Sequence, residues 1–308
     1  MFVAGAYRKF VLAVAGAEPV ARAAQQVGLR LGATRFVAGE TLSDALAVVR
    51  DLNRRSLLVT LDHLGEEVAS REAARDAAEE IHRMLGGIQS SGVQANVSLK
   101  LSQLGLAFDR DLAMELLTGI VRRAHEQNCF IRIDMESSAY TEQTLGIYYI
   151  LRRQGYDNVG PVIQSYLYRS FTDLEELDRW EANVRIVKGA YAEPPTVAYR
   201  RKADVDDAFR RMVEQRLRKG LYTAVATHDE RLIAFTQELA EREGIPRDRF
   251  EFQMLYGVRM ARQESLAREG YRVRCYVPYG RQWYPYFVRR IAETPRNLGF
   301  LLRVLLRR

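Results

Sequence analysis

Short apolar segments that read as strands alternate with longer helical patterns along most of this chain, and this alternation constrains its fold more than any other feature. Eight segments combine strand-like length with β-branched or aromatic residues: 58–61, 96–101, 130–135, 161–166, 184–187, 223–227, 250–254 and 272–277. Amphipathic helical patterns fall between them, at 70–86, 110–127, 141–154, 173–182, 204–219, 229–243 and 260–269. Eight successive βα units predict a closed parallel (β/α)8 barrel.

The sequence offers no obvious point of division. No linker rich in proline, glycine or serine interrupts it, so we expect residues 1–308 to form a single domain. Residues 1–55 read as helices that precede the barrel, and residues 1–24 as a helix rather than a signal peptide, because their apolar run is short. A doubly wound sheet is the competing architecture, but its G-x-G-x-x-G fingerprint does not follow the first strand.

The formal net charge of +7 would suit nucleic acid, an anionic membrane surface or an anionic cofactor. Nucleic acid fits least well, because the arginines are dispersed and lack an RNP-type aromatic motif, so we expect no nucleic-acid partner. No apolar run approaches the roughly 18 residues of a membrane span. Cys129 and Cys275 lie in apolar segments without metal or redox spacing, which indicates a reducing, cytoplasmic location.

Polar residues at the carboxyl ends of the strands carry functional information in such a barrel, because its active site is built there. Every predicted strand contributes some: Asp62, His63, Lys100, Ser102, Asp134, Glu136, Gln164, Arg185, Lys188, Tyr191, Thr227, His228, Gln253, Tyr256 and Tyr276. Each has a structural alternative when taken singly. Lys100 and Arg185 could form ion pairs at the barrel rim with acidic neighbours, and His228 could be a structural histidine.

A stripe of residues follows the eighth strand. Tyr286, Arg289, Arg290 and Glu293 have the i, i+3, i+4, i+7 spacing of one helical face. Two adjacent guanidinium groups can bind a carboxylate in bidentate fashion, and a neighbouring aromatic ring can cover an apolar ligand. The alternative is a solvated basic helix end with an intrahelical pair between Arg289 and Glu293.

At these strand ends and in the stripe, the chain reads NVSLKLSQLG, IRIDMES, NVRIVKGAY, ATHD, FEFQMLYG, and YVPYG followed by YFVRRIAE. In this order the motifs resemble those of proline dehydrogenases of the monofunctional bacterial type, which are related to one domain of bifunctional proline-utilisation proteins. The resemblance implies a distorted (β/α)8 TIM barrel whose last helix lies across the barrel mouth. It also implies FAD-dependent oxidation of L-proline to 1-pyrroline-5-carboxylate, the first step of proline catabolism to glutamate, with a membrane quinone as electron acceptor.

The resemblance also assigns roles to residues. Arg185 would lie near the N5 atom of the flavin, and the residues that would bind the cofactor are Gln164, Arg185, Val187, Lys188, Gly189, Ala190, Thr227, His228, Gln253, Arg290 and Glu293. The substrate-binding residues would be Lys100, Asp134, Tyr191, Leu255, Tyr276, Tyr286, Arg289, Arg290 and Glu293. Of these, Lys100, Arg289 and Arg290 would clamp the proline carboxylate and, with Tyr276, form the catalytic set.

Two positions depart from the family pattern. Thr294 stands where many relatives have arginine, and Ala192 where some have tryptophan. The first puts an extra anion contact in doubt, and the second an aromatic contact with the cofactor.

Two other functions compete with this assignment. A Schiff-base aldolase would use Lys100 or Lys188 as its nucleophile, and a binding module would hold an amino acid or nucleotide without turnover. A metal hydrolase fits less well, because the acidic and histidine residues lack H-x-H or H-E-x-x-H spacing.

The C-terminal segment 298–308 combines leucines with arginines. It predicts either peripheral contact with the inner face of the cell membrane, where a quinone resides, or packing against the barrel.

Overall fold

The strands form a closed barrel. The computed structural model describes residues 33–65 and 67–293, with the backbone alone for 291–293. Parallel strands pair in the order β1 to β8, and β8 closes on β1, which confirms the predicted (β/α)8 barrel. The strands are β1 (Leu58–His63), β2 (Ala95–Leu99), β3 (Ile131–Ile133), β4 (Val159–Gln164), β5 (Val184–Val187), β6 (Thr223–Ala226), β7 (Phe250–Leu255) and β8 (Val273–Tyr279).

Helices connect the strands and surround the barrel. They are α1 (Leu42–Arg54), α2 (Arg71–Ser91), α3 (Arg110–Glu126), α4 (Ser138–Arg153), α5 (Ser170–Arg179), α6 (Lys202–Arg218), α7 (Glu230–Arg242), α8 (Met260–Arg268) and α9 (Trp283–Glu293). Short 3-10 turns occur at Ala33–Arg35, Leu101–Leu104 and Arg247–Arg249. Because helices cover the outer face of the barrel, the strands are buried on both sides, as every residue of β4 illustrates.

Local capping explains several helix boundaries. The side chain of Ser70 caps α2 and that of Asp229 caps α7, as the Ser and Asp positions before these helical patterns indicate. The predicted starts of α4 at residue 141 and α5 at residue 173 were wrong by three residues each. For α4 the reason is tertiary, because the first turn is capped by Glu193 from a distant loop.

One charged pair lies inside the protein core, away from the strand ends that carry the predicted site. The Arg216 side chain is fully buried and donates to Asp178 at 2.5 Å and to the carbonyl oxygens of Ala182 at 2.5 Å and Tyr222 at 2.8 Å. Lys219 and Gln215 also donate to Asp178. Burial of a guanidinium is costly unless it is paired and hydrogen-bonded, and these contacts provide both.

The segment before α1 supports the end of the barrel and α9. The Ala38 amide donates to the Pro278 carbonyl at 2.9 Å, and Trp283 of α9 donates to Glu40 at 3.3 Å. The rings of Phe36 and Phe287 pack with centroids 6.3 Å apart. These contacts fix α9 beside the carboxyl end of β8.

The single-domain prediction stays a prediction, and the expectations for residues 1–24, Thr294 and the segment 298–308 lie outside the described residues. Within the part of the chain that the structure describes, no helix has the length and apolar character needed to cross a membrane.

Candidate active site

A cavity of about 640 Å³ opens at the carboxyl ends of the strands. Its lining includes every residue predicted for the site except Glu293, whose side chain is not among those described. The strands contribute polar and aromatic side chains from one side, and Tyr286, Arg289 and Arg290 of α9 line it as well. Because α9 borders the cavity, it lies across the barrel mouth, as the resemblance implies.

Asp134 is the centre of a hydrogen-bonded group at the end of β3. Arg185 donates to its Oδ1 at 2.7 Å and Ser98 to the same oxygen at 2.8 Å, while the Tyr276 hydroxyl donates to Oδ2 at 2.8 Å. The Arg185 guanidinium also lies 5.4 Å from the centre of the Tyr276 ring. The ion pair that could have been purely structural is therefore part of the cavity wall.

Arg185 keeps hydrogen-bonding capacity beyond this pair. Arg185 is 4% exposed, and its Nε and Nη2 have no hydrogen-bond partner among the described residues. A buried donor left without an acceptor costs free energy. Since Arg185 lines the cavity, a bound ligand with acceptor atoms would remove this cost.

Lys100 has an acidic partner to which the sequence assigned no role. Its Nζ lies 3.3 Å from Asp62 Oδ1, and Asp62 is 1% exposed and lines the same cavity. Burial raises the pKa of Asp62, and the charge of Lys100 opposes that rise. Asp62 stands at a strand end, and the register of β1 against β2, which sets it opposite Ser98, brings it near Lys100.

Lys188 is held by two carboxylates that the sequence did not assign to the site. Its Nζ lies 2.6 Å from Asp206 of α6 and 2.9 Å from Asp229, the capping residue of α7. Burial opposes the ionisation of Asp229, but the hydrogen bond and charge of Lys188 outweigh it and lower the pKa of Asp229 to about 2. Both carboxylates therefore fix the position of the Lys188 side chain at the cavity wall.

His228 is a neutral imidazole. Its Nε2 accepts a hydrogen bond from the Leu255 amide at 2.9 Å, which assigns the proton to Nδ1. Burial, followed by the charges of Arg290 and Arg259, lowers the pKa of His228 to about 4. The ring can thus donate from Nδ1 at neutral pH without carrying a charge.

This depressed pKa predicts a pH dependence of stability. The unfolded chain binds a proton at His228 near its ordinary pKa of 6.5, whereas the folded protein does so only near 4. The contribution of the neutral ring is therefore present above pH 6.5 and is lost as the pH falls to 4. Urea denaturation of the cofactor-free proteins would measure this. Between pH 6.5 and pH 4, we expect the unfolding free energy of the parent protein to fall by about 3 kcal/mol more than that of His228→Asn. Parallel pH profiles for the two proteins would contradict the assignment of a neutral ring to His228.

Other predicted cofactor-binding residues are oriented by local contacts. Gln164 donates to the Glu136 carbonyl at 2.8 Å, Gln253 donates to Glu251, and the Thr227 hydroxyl accepts from the Asp229 amide. Gly189 has a φ of +110°, and a Cβ there would lie 2.3 Å from the ring of Tyr166. Only glycine fits this position.

Four of the polar strand-end residues do not line the cavity. The ring of His63 packs on Tyr279 at 5.2 Å, and Glu136 accepts hydrogen bonds from the amide and hydroxyl of Ser102. Tyr256 packs against the hydrophobic core. These residues fit a structural role.

The cavity favours anions. Among its described lining residues are five cationic side chains, Lys100, Arg185, Lys188, Arg289 and Arg290, and three carboxylates, Asp62, Asp134 and Asp229. Tyr286 is buried, and the Arg290 guanidinium lies 5.2 Å from the centre of its ring. A cavity of this size with an excess of positive charge beside aromatic surface suits an anionic ligand with flat or apolar parts.

Comparison with known proteins gives a consistent result. A family model described as "Proline dehydrogenase" matches residues 45–303. The chain is 46% identical to the proline dehydrogenase of Deinococcus radiodurans over 305 residues, covering 98% of both chains. It is 44% identical to proline dehydrogenase 1 of Bacillus subtilis over 285 residues, covering 92% of this chain and 94% of that protein.

A solved structure shares this fold. The crystal structure of proline utilization A (PutA) from Bdellovibrio bacteriovorus, inactivated by N-propargylglycine, superposes with a TM-score of 0.78 at 27% identity. The match covers 84% of this chain and 32% of that protein. The chain therefore spans about a third of the length of PutA.

Proposed function

The chain belongs to the proline dehydrogenase family of enzymes, and from this premise we propose that it oxidises L-proline to 1-pyrroline-5-carboxylate with bound FAD and passes the electrons to a membrane quinone. The observation that carries the proposal is the cationic cavity at the strand ends, where the buried Arg185 keeps donors without an acceptor. The residue roles given by the resemblance are part of this proposal.

The cavity fits FAD by the chemistry of its donors. The Nε and Nη2 groups of Arg185 match an acceptor edge of an isoalloxazine ring, and the excess of positive charge matches a pyrophosphate. Gly189, whose positive φ and contact with Tyr166 allow no side chain, lines the cavity at the end of β5. Gln164, Val187, Lys188 and Ala190 would hold the ring, and Thr227, His228, Gln253 and Arg290 the rest of the cofactor, with Glu293 predicted beside them.

When bound, FAD supplies the acceptor for a hydride from the ring carbon next to the proline nitrogen. The chain's own residues position that carbon. Lys100, Arg289 and Arg290 offer three cations to the substrate carboxylate, and Tyr191, Leu255, Tyr276 and Tyr286 offer ring faces and apolar surface to the pyrrolidine. Positioning of this kind accounts for a large part of a catalytic effect.

Two acidic residues keep the cations in place. Asp134 orients Arg185, and Asp62 orients Lys100, through the contacts described above. Burial, with the charge of Asp134, raises the pKa of Tyr276 well above 10, so the tyrosine stays protonated and donates to Asp134. Tyr276 thus presents an uncharged ring to the substrate.

The contacts of the lysines weigh against a Schiff-base aldolase. Such a nucleophile must lose its proton, but Lys188 lies between two carboxylates and Lys100 lies beside Asp62. Both amino groups are therefore engaged in ion pairs with carboxylates. Borohydride would trap a carbonyl compound on one of these lysines only if the aldolase assignment were right.

The cofactor assignment is tested by the purified protein itself. We expect it to show an oxidised flavin spectrum, or to acquire one when FAD is added, and to release FAD on denaturation. A colourless chain that cannot be reconstituted with FAD would overturn the assignment.

The ring of Tyr276 is expected to limit the size of the substrate. Tyr276→Ser should enlarge the cavity beside the pyrrolidine ring, so we expect the preference for L-proline over 4-hydroxyproline, measured as the ratio of kcat/KM values, to fall about tenfold. Tyr276→Phe keeps the ring and should keep the preference. An unchanged ratio in Tyr276→Ser would assign Tyr276 to the core alone.

The quinone and membrane parts of the proposal rest on the family and on the segment 298–308. Deleting residues 299–308 should abolish binding to anionic vesicles and slow turnover with long-chain quinones, while turnover with a soluble dye stays unchanged. Equal loss with both acceptors would favour a packing role for the segment.

A further inference from the structure

The β5–α6 loop, residues 188–201, forms one wall of the proposed flavin site, since Lys188, Gly189, Ala190 and Tyr191 all line the cavity. The loop contains no helix or strand of its own apart from an isolated bridge of Ala198 to Leu167. Its conformation must therefore be maintained by contacts with neighbouring elements.

The two ends of the loop are fixed by the segment that follows β4. The amides of Ser165 and Tyr166 donate to the carbonyls of Val187 and Lys188 at 2.8 and 3.0 Å. At the other end, the Tyr168 amide donates to the Val197 carbonyl at 3.0 Å, and the Tyr199 amide donates to the Tyr166 carbonyl at 2.8 Å. Residues 189–196 span the distance between these two anchors.

Glu193 lies in the middle of that span and binds a third element. Its Oε1 accepts from the Ser138 amide at 2.7 Å, and its Oε2 accepts from the Ser138 hydroxyl at 2.5 Å. Ser138 is the first residue of α4, whose own N-cap residue, Ser137, makes no side-chain capping bond. A carboxylate is favoured at this position because the first turn of a helix has free amides and a partial positive charge.

We infer that Glu193 is a positioning residue that, through its two hydrogen bonds to Ser138, holds residues 189–192 of the β5–α6 loop against the cavity in the conformation that binds FAD. The inference rests on the proposed function for the identity of the ligand. The part of the inference that concerns the order of the loop does not depend on the proposed function, because that order is a property of the protein without cofactor.

Tyr166 connects the contact between Glu193 and Ser138 to the cavity wall. Its ring packs so closely on Gly189 that no side chain fits there. Burial and then the charge of Glu193 raise the pKa of Tyr166, which indicates that the carboxylate lies near this ring. Tyr166 therefore lies behind Gly189 of the cavity wall, with the Glu193 carboxylate near its ring.

The test compares Glu193→Ala with Asp109→Ala. Asp109 caps α3 with its carboxylate, and neither Asp109 nor any residue of α3 lines the cavity, so Asp109→Ala also removes an acidic helix cap but leaves the loop intact. We expect both variants to have lower Tm values. Only Glu193→Ala should bind FAD about tenfold more weakly, because ordering of the loop then opposes binding.

Amide hydrogen exchange in the cofactor-free protein provides the second readout. We expect amides of residues 189–193 to exchange about tenfold faster in Glu193→Ala than in the parent chain and at the parental rate in Asp109→Ala. Glu193→Gln can still accept from the Ser138 amide and donate to its hydroxyl, so it should restore most of the parental exchange rate and FAD affinity.

Parental FAD affinity and exchange in Glu193→Ala, or equal changes in Asp109→Ala, would overturn the inference. If Glu193→Ala does not fold, Ser138→Ala decides instead, because it removes only the hydroxyl donor. Partial acceleration of exchange in residues 189–193 would support the inference, and the parental rate would overturn it. A parent chain that binds no FAD would defeat the proposed function, while the exchange measurement would still decide the role of Glu193.

Discussion

Replacing Arg289 or Arg290 with methionine is expected to raise the KM for L-proline about 30-fold, which corresponds to about 2 kcal/mol for the loss of one charged hydrogen-bond partner. Both arginines line the cavity, next to Tyr286 on α9. Methionine keeps much of the side-chain length but cannot donate to the proline carboxylate. Steady-state kinetics with a soluble dye as electron acceptor would measure the change.

Pyrrolidine, which has the ring of proline but no carboxylate, separates this role from a general effect on the cavity. We expect its inhibition constant to stay nearly unchanged in Arg289→Met and Arg290→Met, while the KM for proline rises. Arg281→Met controls for the loss of a positive charge before α9, since Arg281 is exposed and does not line the cavity. Near-normal KM values in both cavity variants, or equal weakening of proline and pyrrolidine, would contradict a carboxylate clamp.

The largest effect on stability is expected from Arg216→Met. Arg216 is fully buried and forms its ion pair with Asp178, so its loss leaves a buried carboxylate with weaker compensation and two carbonyl groups without their donor. Removing one partner of a buried ion pair costs about 3–5 kcal/mol. Urea denaturation of the cofactor-free protein should show a decrease of this size.

Arg218→Met provides the matched control on the same helix. Arg218 is half exposed and pairs with Glu214 and Glu243 at the surface, where ion pairs contribute little. We expect its effect to be small compared with that of Arg216→Met. Similar losses in both variants would mean that the buried pair has no special importance.

The fold could be predicted from the sequence because each strand is a short apolar segment bounded by helical patterns. The strand at Val184–Val187 has the predicted bounds. Others differ where pairing extends or shortens them: β8 continues to Tyr279, which pairs with His63 of β1, and β3 ends at Ile133. A strand's ends depend on its neighbours, which the local sequence does not reveal.

The site could be predicted in outline but not in its internal contacts. Strand-end position and family motifs indicated many of the residues that line the cavity. Asp206 and Glu193 have no such signal, because one lies on α6 and the other in the β5–α6 loop, and each meets its partner only after the chain has folded. Ion pairs and caps between residues far apart in sequence require the register of strands and helices, which is a tertiary property.

The central claim is that this cavity binds FAD and oxidises L-proline, and anaerobic reduction of the bound flavin tests it most directly. L-Proline is added to the FAD-loaded protein without oxygen, and the absorbance of oxidised flavin is followed together with the formation of the cyclic imine. We predict full bleaching with about one imine formed per flavin, and no bleaching by pyrrolidine under the same conditions. Protein that holds FAD but keeps its oxidised spectrum at saturating L-proline would contradict the account.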